Sequence, residues 1–126
     1  MKNASVWAIV MAMAILVAGL IGTSQAGVSN RIAIQISPNT LVLGQTMEYV
    51  TVHTNIACSL VDRDSVELNR IPVAYVKSDN RGFLVAKFDA DAVKAIVKPG
   101  RAKLTMTGTT VNGVNFFGTD IIAVKR

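Results

Sequence analysis

The sequence predicts an all-β, antiparallel sandwich of about seven strands with one short helix. Three observations carry this. Apolar residues alternate with polar ones in short runs, turn residues punctuate the chain every eight to twelve positions, and only one segment has the spacing of a helix.

From Arg31, the residues Ile32, Ile34 and Ile36 alternate before "SPN" stops the run. Period two with β-branched side chains is the signature of a half-buried strand. After "TLVLG", the segment "MEYVTVHT" puts Val50 and Val52 inward and Thr51 and His53 outward. The polar "NIACSLVDRD" reads as a loop. In "SVELNRIPVAYV", Val66 and Leu68 fit an inward face, Ile71 and Val73 resume after a bend, and Pro72 suits a strand edge or a break.

"SDNRG" is a turn in which Gly82 supplies positive φ, and "FLVAKF" then sets Leu84, Ala86 and Phe88 on one face against Phe83, Val85 and Lys87. Asp89 or Asp91 caps a short helix running to about Val97, because a carboxylate there accepts otherwise unpaired backbone amides. Val93, Ile96 and Val97 are expected on the core, and Pro99 and Gly100 stop the helix.

The last hairpin turns at Asn112-Gly113. A two-residue turn would set Leu104 and Met106 on the opposite face from Ile122 and Val124, so their common burial requires one extra residue. Either the loop has three residues with Gly113 in a bulge, or the strand bulges near Phe117 and Gly118. The expected core is Ile34, Val50, Val52, Leu68, Leu84, Ala86, Phe88, Leu104, Met106, Ile122 and Val124. About seven short strands in such a chain match the pattern of an immunoglobulin-like sandwich.

Ahead of this domain, Lys2 precedes the uncharged run Val6 to Ile21, and "GTSQA" follows. That is the layout of a secretory signal peptide, residues 1–26, with Ser24 and Ala26 as the small residues before the cut. Cleavage leaves the domain 27–126. An uncleaved anchor is the rival reading, although the run is shorter than the roughly 20 apolar residues a span prefers. No segment of the mature part has the composition to span a membrane. The expected location is therefore secreted: extracellular, at the cell surface or in the periplasm.

The segments "VTVHT" (50 to 54), "SVELN" (65 to 69), "LVAKFDADAV" (84 to 93) and Gly113 followed by "FFGTDIIAV" (113 to 124) resemble a secreted immunoglobulin-like module of bacteria and archaea, found singly or appended to large extracellular proteins. The resemblance implies an architectural role and no catalytic residues. Members often carry a longer Asp-rich loop before the Leu-x-Val-x-Phe strand, where this chain has only "SDNRG".

Composition narrows the chemistry. Removing Lys2 leaves 12 of the 13 basic residues against 8 acidic ones, a net +4, interspersed along the chain. Without a basic stripe or interleaved aromatics, nucleic acid is not an expected partner. His53 is the sole histidine, so no histidine cluster exists for a metal, and no serine sits in a nucleophile context. Asp62, Asp64, Asp79, Asp89 and Asp91 could offer oxygen to Ca²⁺, but their spacing does not match a twelve-residue calcium loop. The single Cys58 cannot form an internal bridge and reads as a buried small hydrophobe, with an interchain bridge as the alternative.

The only tryptophan, Trp7, lies in the signal segment, leaving Tyr49, Tyr75 and Phe116 as the candidate sugar platform. Thr105, Thr107 and Thr109 form an outward polar row. The expectation is a non-enzymatic structural or protein-interaction module with no catalytic residue, metal or cofactor. Its partner is another extracellular or envelope protein. The alternatives are a carbohydrate-binding module and a fibre subunit assembled by strand exchange, with "RIAIQIS" as the donor. Oligomeric state stays open.

Overall fold

The computed structural model describes residues 30–126; the expected signal segment and its cleavage point lie outside the described residues. Ten strands follow one another: β1 (Asn30–Arg31), β2 (Ile34–Ser37), β3 (Thr40–Val42), β4 (Tyr49–Ala57), β5 (Glu67–Leu68), β6 (Ile71–Pro72), β7 (Tyr75–Ser78), β8 (Phe83–Asp89), β9 (Gly100–Thr109) and β10 (Asn115–Lys125). One α-helix, α1 (Ala90–Ala95), and two 3-10 turns, Cys58–Leu60 and Arg63–Ser65, complete the described elements. The four-stranded sheet has the order β2-β4-β8-β7. The six-stranded sheet runs β1-β10-β9-β5-β6, with β3 also on β10. Pairing is antiparallel except where β1 and β3 run parallel to β10.

The sheets share one core. Ile36, Val50, Val52, Leu84, Ala86 and Phe88 come from the smaller sheet; Leu68, Leu104, Met106, Phe116, Ile122 and Val124 come from the larger. Every expected core residue except Ile34 is buried, and Ile34 is half-buried against the same cluster. Alternation selected these positions because side chains two apart share a face. Leu41, Val61, Val66, Val93 and the thiol of Cys58 add to the cluster from strand ends, turns and the helix.

The β9–β10 hairpin resolves the choice of register. Leu104 pairs with Asp120 and Met106 with Gly118, and the same offset holds from Gly100↔Val124 to Thr109↔Asn115. The ladder is therefore unbroken, and the extra residue lies in the loop. Thr110 N–H donates to the Val114 carbonyl at 2.8 Å, Gly113 N–H donates to the Thr110 carbonyl at 2.9 Å, and Gly113 has φ +85°. This is the three-residue loop with glycine in the left-handed position.

More strands form than the seven expected, for two reasons. The N-terminal stretch changes sheets twice, so one alternating run becomes β1, β2 and β3; the cis bond Ser37–Pro38 lies at the second crossing. The segment "SVELNRIPV" folds back through Asn69 and Arg70, both at positive φ (46° and 72°), which makes β5 and β6 a two-residue hairpin. Pro72 lies on the exposed edge there, as its missing N–H requires.

Two expectations need correction. "NIACSLVDRD" is not wholly loop: β4 continues to Ala57 because Asn55 is held by Ala33 in both directions, at 3.2 and 3.0 Å, while Ile56 packs on the core. The helix ends at Ala95 rather than near Val97. Asp89 caps it by accepting the Ala92 N–H at 3.0 Å, and Val93 is buried. Ile96 is the C-terminal cap and is 48 % exposed, so it does not reach the core.

Candidate functional site

The outer face of the smaller sheet gathers the odd-numbered residues of its strands. Tyr49 and Tyr75 meet edge to face at 5.4 Å between ring centroids. They become neighbours because Tyr49 pairs with Asp89 on β8 while Tyr75 pairs with Lys87 two residues earlier on the same strand. The adjacent negative charge of Glu48, followed by partial burial and Tyr75, raises the Tyr49 phenol above its ordinary pKa. Lys87 Nζ donates to Thr51 Oγ1 at 2.8 Å. His53 is exposed on this face, between Gln35 and Val85 in the register.

Phe116 does not join the two tyrosines. It is 2 % exposed, on the inner face of the other sheet, with its ring over Gly108. A Cβ at Gly108 would lie 2.5 Å from the Phe116 ring, so glycine makes the space that ring fills. Parity gave a usable signal: Phe116 is an even number of residues from Ile122 and Val124, and without a bulge it must share their face. Phe117 takes the outward place instead, with the Arg31 guanidinium 5.2 Å from its centroid.

Of the five candidate aspartates, Asp62, Asp79 and Asp89 serve local backbone tasks. Asp79 accepts the Arg81 and Phe83 N–H groups at 2.8 and 3.0 Å, closing the β7–β8 turn around Gly82 at φ +84°. Those two bonds, together with the Arg81 charge, hold its carboxyl below the ordinary carboxylate range. Asp62 accepts the Asp64 N–H at 3.3 Å, and Asp89 caps α1. Among the described residues no group of three or more His, Cys, Asp or Glu side chains could hold a metal ion. Cys58 is buried, as the small-hydrophobe reading expects.

The two edges of the smaller sheet differ. On β2, the Ile36 N–H donates across to Asp120 Oδ2 at 2.9 Å, so a side chain of the other sheet closes this edge. "RIAIQIS" thus forms β1 and β2 of its own chain, joined to β10 and β4. The sequence reading held Asp120 only within the segment "FFGTDIIAV" and gave it no role; a carboxylate among inward-facing residues of the last strand was the available signal. On the opposite edge, β7 pairs among the described residues only with β8. Asp79 N–H donates to the Phe83 carbonyl at 2.9 Å, and the alternation of an antiparallel ladder then directs the N–H and C=O of Val76 and Ser78 away from the sheet. Tyr75 heads this free edge, 45 % exposed.

No helix among the described residues is long and apolar enough to cross a membrane. No family model, curated protein or solved structure matches this chain.

Proposed function

We propose that this chain is a secreted, non-enzymatic immunoglobulin-like module with a structural or protein-binding role at the cell surface or in the periplasm. The strand order supports the immunoglobulin-like reading: β2-β4-β8-β7 opposite β10-β9-β5 is the ABED and GFC arrangement of that sandwich. The export reading is supported by Lys2, the apolar run Val6 to Ile21 and the small residues Ser24 and Ala26.

The observation that carries the contact role is the free β7 edge headed by Tyr75. An open edge offers backbone hydrogen bonds to an extended segment of another protein, and an exposed tyrosine adds apolar area with a polar tip. The partner is accordingly another extracellular or envelope protein.

The test is a pull-down from the native envelope fraction with the exported protein as bait. A protein partner should be retained by His53→Ala and in the presence of a chelator. It should be lost with Ser78→Pro, which removes an outward N–H. Substrate turnover abolished by His53→Ala would overturn the non-enzymatic reading, and a partner still held by Ser78→Pro would move the contact off β7. Mass spectrometry of the exported protein should find Gly27 at the amino terminus; an intact Met1 in the membrane fraction would favour an anchor.

A further inference from the structure

The outer face of the larger sheet carries a row that the protein-contact role leaves unused. Glu67 pairs with Thr107, Thr107 with Phe117, and Phe117 with Arg31, so four strands line up a carboxylate, a hydroxyl, an aromatic ring and a guanidinium. At the usual strand spacing the row spans about 14 Å. Thr105 and Thr119 flank it on one side with their hydroxyls 3.2 Å apart, and Thr109 and Asn115 on the other with a 3.3 Å hydrogen bond. Together with Thr105, Thr109 and Asn115, the Glu67–Thr107–Phe117 part of the row lines a shallow depression of about 550 Å³.

We propose that this face binds a neutral oligosaccharide. The chemistry selects that ligand over others. Sugar hydroxyls both donate and accept, and the face offers acceptors only at Glu67, donors only at Arg31, and both at Thr107 in the row and Asn115 beside it. Within the row Glu67 and Arg31 balance each other, and the exposed Lys103 and Arg101, further along β9 on the same face, do not line the depression. Phe117, half-buried with the Arg31 guanidinium over its ring, supplies, where it lines the depression, the apolar wall against which the C–H surface of a sugar ring packs. Because the residues sit on paired strands, their spacing is set before a ligand arrives, which lowers the ordering cost of binding. This site lies on a different sheet from the β7 edge and from the Tyr49–Tyr75 pair.

The experiment is calorimetric titration of the exported protein with cellohexaose, xylohexaose, mannohexaose and chitohexaose at millimolar concentration, with polygalacturonate as the charged comparison. At least one neutral hexasaccharide should bind saturably. Thr107→Val keeps shape and strand propensity while removing the hydroxyl, and Phe117→Leu removes the ring; each should weaken binding at least tenfold. Thr107→Val should leave the melting temperature within a few degrees of the parent, so the inference stands or falls on it even if Phe117→Leu folds poorly. Tyr75→Ala should leave binding unchanged. No binding of any neutral hexasaccharide, binding of the polyanion alone, binding indifferent to Thr107→Val, or loss of binding with Tyr75→Ala would each overturn the proposal. Ser78→Pro should not affect it, which separates this outcome from failure of the protein-contact reading.

Discussion

The smaller sheet ends in two strands of four residues each, β2 and β7, and only one is closed. On β2, Asp120 reaches across from the larger sheet to take the Ile36 N–H, and Ile34 lies so close to β10 that a Cβ on Gly118 would stand 2.6 Å from its Cγ2. On β7, Lys77 and Ser78 are exposed, and the outward backbone is unpaired among the described residues. An edge is thus closed by what the neighbouring sheet places beside it. Strand composition alone does not close it, and the edge left open is the one available for contact.

The largest effect should come from removing the floor that both edges share. Phe88 is fully buried at the centre of the core, and Phe88→Ala should cost about 3–5 kcal/mol, read by chemical denaturation. Because β8 lies between β4 and β7, amide exchange should then rise on β2 and β7 together. A loss below about 1 kcal/mol would mean that Phe88 is not part of the core.

Asp120→Ala should separate the edges. It leaves the N–H of buried Ile36 without its acceptor, at a cost of about 1–3 kcal/mol, and should speed exchange at Ile36 while sparing β7. Equal acceleration at both edges would show that Asp120 supports the whole sandwich instead of closing β2.

Ser78→Pro should be nearly silent in stability, changing it by less than about 1 kcal/mol, since the N–H removed points away from β8. A larger loss in thermal melting would place that N–H inside the ladder and close the edge on which the proposed contact role depends.

The smallest effect concerns the turn that ends β7. The Asp79 carboxyl is held below its ordinary range by the Phe83 and Arg81 N–H groups. Its charged form therefore contributes stability in full above the unfolded value of about 3.9, and that contribution is lost as pH falls through the lower folded value. Asp79→Asn keeps an acceptor oxygen without the charge. Its melting temperature should lie slightly below the parent's at neutral pH and converge with it in acid. A gap that persists or widens in acid would assign the effect to something other than this carboxylate.

Much of this molecule was legible residue by residue. Alternation identified the inward faces of β4, β8, β9 and β10, because the period of two is a local property of extended backbone. Asp89 as a helix cap, Gly82 and Gly113 at positive φ, and Pro72 at an edge follow from short-range geometry in the same way. Packing Leu104 and Met106 with Ile122 and Val124 even required an extra residue in the last hairpin. The sequence left two places for that residue, and only the tertiary structure chose the loop. That choice sent Phe116 inward over Gly108 and Phe117 outward under Arg31, undoing the candidate platform of Tyr49, Tyr75 and Phe116. Tertiary structure likewise decided that Asp120 closes β2, that Tyr49 meets Tyr75, and that Glu67, Thr107, Phe117 and Arg31 form a row. Each of these joins residues far apart in the chain. Local pattern fixes which way a side chain points from its own strand, whereas its neighbour across the sheet is fixed by pairing register, which only the assembled core determines.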